Sequence, residues 1–293
     1  MADHETGTGS LTEKAHWDSK YEPSAISAAS QRTPSRLKRL IKWMLGARVL
    51  ELMRDYRDYL LWDVVYAEHM PRAGQNRVLE VGSAPGIHLV ELRDAYALEP
   101  YGVEYSTPGV ALNRRIFAER GIDPNNVIHA DFLSPTFQER YAGFFQVVVS
   151  RGVIEHFANV KDAVEKHVNL LAPGGILFVS IPNLRGLNYA LTWFFHKELI
   201  PLHNIDVMEN SRFCALFADR RLTPRFCGNL GAFNFGIFNT EAEKGPRAAI
   251  LRFCSKLQLL FNLISRLLFG RRAGGGKYSS PYLMFVGARN RGS

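Results

Sequence analysis

Five short apolar runs, each bounded by turn chemistry, constrain this 293-residue chain more than any other feature. Residues 77–81 (Arg-Val-Leu-Glu-Val) run into Gly82, 101–104 follow Pro100, 145–150 follow Gly143, and 175–181 lie between Pro173-Gly174 and Pro182. Val127 to Ala130 is a shorter fifth run. Such runs fit strands covered on both faces, as in parallel sheets. Helical spacing lies between them: from Ile87 onward, over 110–120 up to Gly121, and over 160–171. Strand–helix alternation implies right-handed crossovers, so 75–182 is predicted to be an α/β unit with a doubly wound, mostly parallel sheet. Two further strands, over 225–238 and 281–289, bring the expected sheet to seven strands, and a long helical pattern from Pro246 to Gly270 is inserted between them.

A hydrophobic fraction of 46% and a charged fraction of 22% suit a chain with a sizeable core and exclude a mainly disordered or fibrous protein. No apolar run reaches the roughly 18–20 residues of a membrane span. The polar stretch Met1 to Ser10 has no apolar secretory segment, so a cytoplasmic protein is expected. Cys214, Cys227 and Cys254 match no zinc or redox spacing and read as reduced thiols.

The net charge of +8 is unevenly placed. Eight basic residues and no acid lie in 244–277, and six basic residues and no acid lie in 32–48. Those fourteen of the 36 basic residues leave 22 against all 28 acids, so the remainder is net acidic and the two segments need their own explanation.

The motif with the most chemistry is Glu80-Val81-Gly82-Ser83-Ala84-Pro85-Gly86. A strand ends in a tight small-residue turn and a helix begins at once, so free N–H groups face a ligand that glycine allows to come close. Glu104, 22 residues after Gly82, ends the second strand, where an acid can accept from two ribose hydroxyls. Asp131 ends the third strand, where it can accept from an adenine amino group while Phe132 covers the ring. Ser150 ends the fourth. All four lie at carboxyl ends of parallel strands, where open α/β sheets bind ligands.

With these motifs the sequence resembles the class I S-adenosylmethionine (SAM)-dependent methyltransferases, in the branch that includes ubiquinone-biosynthesis O-methyltransferases and small-molecule relatives. Further matches are Gly102-Val103-Glu104-Tyr105-Ser106, Ala130-Asp131-Phe132, Gly152-Val153-Ile154-Glu155-His156-Phe157, Leu171-Ala172-Pro173-Gly174-Gly175 and Ile181-Pro182-Asn183. His16-Trp17-Asp18-Ser19-Lys20-Tyr21 is similar to the family's lid segment. The resemblance implies a Rossmann-like methyltransferase fold with SAM as cofactor and S-adenosylhomocysteine as product. It also implies that Glu80 and the Gly82–Gly86 turn hold the methionine part, Glu104 and Tyr105 the ribose, Asp131 and Phe132 the adenine, and Ser150 and Arg151 the amino-acid end. Ala84 stands where the family usually has glycine, and Gln146 where an acid is common. Gly152 replaces an acid that ubiquinone-pathway relatives associate with a metal. One carboxylate, Glu155, is a poor Mg²⁺ site, so no metal is expected.

Methyl transfer needs an aligned nucleophile and, for a hydroxyl, a proton acceptor. His156, with Glu155 beside it, is the first candidate base; a structural histidine capping the loop is the alternative. His203 is a second candidate on the substrate side, again against a capping role. His88, His129 and His167 read as structural. The expected acceptor is a small or lipid-like molecule methylated on a hydroxyl. A glycan or natural product, and a SAM-binding scaffold without activity, remain as alternatives. The expected organisation is an N-terminal helical lid over 1–74 and a methyltransferase domain over 75–293. Within the latter, 183–225 is a substrate-side insertion and 244–277 a basic amphipathic helical insertion. Segments 32–48 and 246–272 could lie on an anionic membrane, making the protein peripheral there, or could pack on the core or form a homodimer. Nucleic acid is disfavoured.

Overall fold

The computed structural model describes residues 9–21, 51–52, 54–72, 76–219, 221–235, 246–272 and 276–292, without the side chains of 246–248 and 252. The basic segment 32–48 and most of the expected 1–74 lid therefore lie outside the described residues.

The sheet has seven strands: β1 (Arg77–Val81), β2 (Glu99–Glu104), β3 (Val127–His129), β4 (Phe145–Arg151), β5 (Leu171–Pro182), β6 (Leu222–Leu230) and β7 (Tyr282–Arg289). Their spatial order is β3-β2-β1-β4-β5-β7-β6. β1 to β5 are parallel, and β7 runs antiparallel between β5 and β6. The predicted β6, over 225–238, is instead Leu222–Leu230: an edge strand carrying Thr223, Pro224, Arg225 and Asn229 gives no apolar run from which to read its limits.

Helices cover both faces. The first, α1, is Lys14–Lys20, and α2 spans 56–69 with a wider π-type middle at Leu60–Tyr66. Then come α3 (Ile87–Tyr96), α4 (Thr107–Glu119), α5 (Pro135–Tyr141), α6 (Val160–Leu170), α7 (Leu187–His196), α8 (Asn210–Ala215) and α9 (Pro246–Phe269). On one face, Leu79, Val148, Leu177 and Phe285 pack with Val164 and Val168 of α6 and with Phe213 and Phe217; on the other, Val78, Val147 and Phe178 pack with Leu89 and Leu92 of α3 and Tyr66 of α2. Ser106 caps α4 through Gly109 N–H, and Asn159 caps α6 through Asp162 N–H.

The expectation of three free thiols is corrected. Cys214 in α8 and Cys227 in β6 form a disulfide, leaving Cys254 as the free cysteine. The pairing joins a helix to the edge strand that packs beside it, a closeness that sequence spacing does not reveal.

Candidate active site

The turn after β1 is built as its sequence requires. Gly82 and Gly86 have φ of +67° and +94°, in the left-handed region that favours glycine. Gly82 N–H donates to Val103 O, tying the turn to β2. A Cβ on Gly86 would lie 2.0 Å from Asn113 Oδ1, and Asn113 is fixed by donating to Ser83 Oγ at 2.7 Å. Gly102 leaves room for that same serine. Ala84, where a glycine was usual, donates its N–H to Glu104, and the Ala84–Pro85 bond is cis.

Three acids lie at or just past the carboxyl ends of β1, β2 and β3. Glu80 is buried and pairs with His88 Nδ1 at 3.0 Å and Arg151 at 2.9 Å. Burial pushes its carboxyl up, but Arg151 and His88 outweigh that and hold it below the usual range. His88 also bonds Tyr66 Oη, so this histidine, read as structural, positions an acid of the site. Glu104 accepts from Ser106 N–H at 2.9 Å and Ala84 N–H at 3.3 Å, yet burial still raises its pKa. Tyr105 follows it, half-buried, its hydroxyl pKa raised by burial and then by Glu104. Asp131 is exposed and its carboxylate accepts from Leu133 N–H. The Phe132 ring is buried, meeting Phe157 edge-on and His167 at a tilt, so it also belongs to the core beneath the site.

The expected lid segment lies across these groups. Leu11 N–H donates to His156 O, Ala158 N–H to Gly9 O, and Tyr21 Oη to Ala84 O. Trp17 meets the His156 ring edge-on at 5.0 Å. Lys20 at the end of α1 is drawn by both Glu104 and Glu155, although burial lowers its pKa overall. Sequence reading flagged this segment as a lid but gave no role to Thr12 or Lys20.

The three residues selected as candidate catalysts converge. One ligand-type atom from each of Glu155, His156 and His203 lies within 4.8 Å of the others. Ile154–His156 is a single 3-10 turn after β4, and Asn204 N–H donates to Glu155 O, bringing the 197–203 segment alongside. His156 Nδ1 lies 2.8 Å from both Leu202 O and Thr12 Oγ1, and His203 Nδ1 lies 2.6 Å from Leu199 O. A carbonyl only accepts, so both rings carry the proton on Nδ1 and leave Nε2 as a lone-pair nitrogen. Burial, then His203, lowers the His156 pKa to about 3. Glu155 is fully buried, and neither carboxyl oxygen finds a partner on another described residue. Burial pushes it up to about 8. One carboxylate and two nitrogens do not offer the oxygen shell that Mg²⁺ favours. Ser150 Oγ and Glu80 Oε2, at the same strand ends, are also buried and unpartnered among the described residues.

A family model described as a methyltransferase domain matches residues 45–223. No curated protein matches the sequence. Among solved structures, geranyl diphosphate C-methyltransferase from Streptomyces coelicolor A3(2), in complex with Mg²⁺, geranyl diphosphate and S-adenosylhomocysteine, is similar at 17% identity and a TM-score of 0.53, over 91% of this chain and 88% of that one. A geranyl diphosphate methyltransferase in complex with SAM is similar at 17% identity and 0.52, over 89% and 94%. At these identities the likeness is one of fold, and neither comparison singles out the ubiquinone-pathway branch. The family match over more than half the chain, on a sheet of this order, makes it a member of the methyltransferase-domain family, the class I SAM-dependent methyltransferases.

Proposed function

We propose that the chain methylates a hydroxyl of a small or lipid-like acceptor, with Glu155 as the proton acceptor. The observation that carries this reading is the buried Glu155 carboxyl, unpartnered among the described residues, at the convergence with His156 and His203. SAM, when bound, supplies a methyl group on a sulfonium leaving group. The residues fit that cofactor: Ser150 Oγ and Glu80 Oε2 at the carboxyl ends of β4 and β1 are buried and have no partner among the described residues, so they await a polar group. In this reading Glu80, Ser83, Pro85, Ser150 and Arg151 hold the amino-acid end, Glu104 and Tyr105 the ribose, and Asp131 the adenine. Glu155 takes the acceptor's hydroxyl proton, since a group with a pKa near the working pH exchanges protons well. His156, a weaker base at about 3, orients the acceptor through its free Nε2, and His203 does the same from the substrate side. The 9–21 strap excludes water.

The domain division is proposed likewise: a cap within 1–74, and a methyltransferase domain over 75–293 whose segments 183–225 and 244–277 shape the acceptor side. The solved neighbours named for methylating geranyl diphosphate accord with an acceptor that carries an apolar chain, and the C-methylation named for one of them keeps a carbon acceptor as a second reading.

Two experiments test the assignment. S-adenosylhomocysteine at about 100 times its Kd should stabilise the wild-type fold by roughly 2.7 kcal/mol in thermal unfolding. Glu104→Ala should weaken its binding by about 1–3 kcal/mol by calorimetry, through lost buried hydrogen bonds. The exposed Asp131 predicts a smaller loss in Asp131→Ala. Unchanged affinity in Glu104→Ala would overturn the cofactor assignment. S-adenosylhomocysteine release, measured across hydroxyl, amine and prenyl-chain acceptors, then tests the acceptor class, and turnover confined to amines would remove the hydroxyl reading.

A further inference from the structure

A surface helix ordinarily turns its apolar stripe to the core. α9 does the reverse. Its inward stripe is polar: Gln258 Nε2 donates to Phe233 O and to Asn262 Oδ1, Gln258 Oε1 accepts from Phe235 N–H, and Asn262 Oδ1 accepts from Tyr56 N–H. The Arg266 guanidinium lies over the Tyr59 ring, 2.9 Å from its centre. Leu251 is the one large apolar residue of α9 that is fully buried among the described residues, against Phe195 of α7. The outward face carries Phe253, Leu257, Leu260, Ile264, Leu267 and Leu268, from 37% to 71% exposed. At 100° per residue these six cover an arc of about 100° with no charged residue inside it. α7 meets α9 at the Phe195–Leu251 contact and adds Trp193 and Phe194, themselves exposed. A large contiguous apolar surface on a folded chain marks a place where something binds.

Charge decides what binds. Lys256, Arg271, Arg272 and Lys277 are exposed in or beside this face, and 244–277 contains no acid to balance them. A second copy meeting the first through this face would set like charges against each other. An acidic lipid surface neutralises them while the apolar arc enters the headgroup boundary. The exposed Trp193 and Tyr278 are of the kind that lie at such a boundary. No described helix is long and apolar enough to cross a membrane, so α9 would lie along the surface.

Topology sets the orientation. β6 ends at Leu230 opposite Tyr282, and Tyr282 pairs with Pro182 at the end of β5. β5 is parallel with β4 and β4 with β1, so the connection that holds α9 leaves and re-enters the sheet at its carboxyl edge, the same edge that carries the Gly82–Gly86 turn three strands away. We propose that the outward faces of α9 and α7 dock on an anionic lipid bilayer and hold the carboxyl edge of the sheet against it. The docking does not depend on the acceptor proposed above; only its use in admitting a lipid-like acceptor rests on that reading.

The full chain should co-sediment at low salt with vesicles of phosphatidylglycerol and phosphatidylcholine in equal parts, and not with pure phosphatidylcholine. Phe253→Glu combined with Leu260→Glu and Leu267→Glu should lower the partitioning at least tenfold, because all three side chains point away from the protein. This variant should keep the wild-type melting temperature and S-adenosylhomocysteine affinity, which separates lost docking from lost folding or a failed cofactor assignment. Three results would overturn the proposal: no binding of the wild type to the anionic vesicles, undiminished binding by the triple variant, or a wild-type dimer in sedimentation that the triple variant dissolves. The last would assign the face to a second copy.

Discussion

Replacing Gly86 by valine should lower stability by about 3–5 kcal/mol, adding left-handed backbone strain to the disruption of a buried hydrogen bond. The φ of +94° disfavours any side chain and a β-branched one most. The new Cβ would also meet Asn113 Oδ1 at 2.0 Å, and Asn113 cannot retreat without breaking its bond to Ser83. At 2–4 °C per kcal/mol for a chain of this size class, the melting temperature should fall by roughly 10 °C. Gly121→Val is the matched control. Its φ is +66°, but nothing lies within 4 Å of an added Cβ, so only the backbone term of about 1–2 kcal/mol should remain. Equal losses in the two variants would mean that the Gly86 turn is not packed as described. Because the turn is the proposed cofactor cradle, Gly86→Val should also lose the stabilisation by S-adenosylhomocysteine, while Gly121→Val should keep it.

The second large effect belongs to Glu155. As the proposed proton acceptor, its replacement by glutamine should lower kcat/KM by about 10²–10⁴-fold with whichever hydroxyl acceptor supports turnover. Wild-type kcat/KM should rise as pH passes through about 8, where the free enzyme's Glu155 ionises, and the variant should lose that limb. Stability should move the other way. The folded pKa of about 8 lies above the reference value of 4.5, so through that interval the unfolded chain gives up its proton while the folded chain retains one. Stability therefore falls as pH rises across the window. Glutamine cannot ionise, so Glu155→Gln should gain on the wild type at pH 8 and match it near pH 4.5. Melting temperatures across that range test this without an acceptor. An identical pH slope in the two proteins would show that Glu155 is not held protonated, and unaltered turnover would remove it from the chemistry.

The parallel strands were legible because burial on both faces leaves a continuous apolar run, as in Val147 to Val149. The first turn was legible because its glycines answer to backbone conformation, which is local. β6 was not, since an edge strand with Pro224 and Arg225 is shaped by its neighbour β7 rather than by its own pattern. The candidate catalytic trio could be chosen residue by residue, but its convergence depends on Asn204 reaching Glu155 O across the fold. The burial of Phe132 was not legible either, because the rings it meets, Phe157 and His167, come from other segments. The Cys214–Cys227 pairing and the influence of Glu104 and Glu155 on Lys20 are likewise non-local. In α9 the sequence defines a polar and an apolar face but not which one turns inward; that was fixed by Gln258 and Asn262 finding backbone partners.

The reversal at β7 has a consequence for how such a protein can change. β6 and β7 are paired neighbours, so everything in 231–281 is in topological terms one enlarged hairpin loop. Loop-closure entropy grows only with the logarithm of length, and extending a turn of a few residues to about fifty costs on the order of 2 kcal/mol. The five parallel strands and the glycine turn take no part in that loop's closure. Replacing the segment by a short turn should therefore leave the seven-stranded frame able to close, at the cost of the bonds that tie Pro281 to Asn183, Tyr278 to Leu187 and Asn262 to Tyr56.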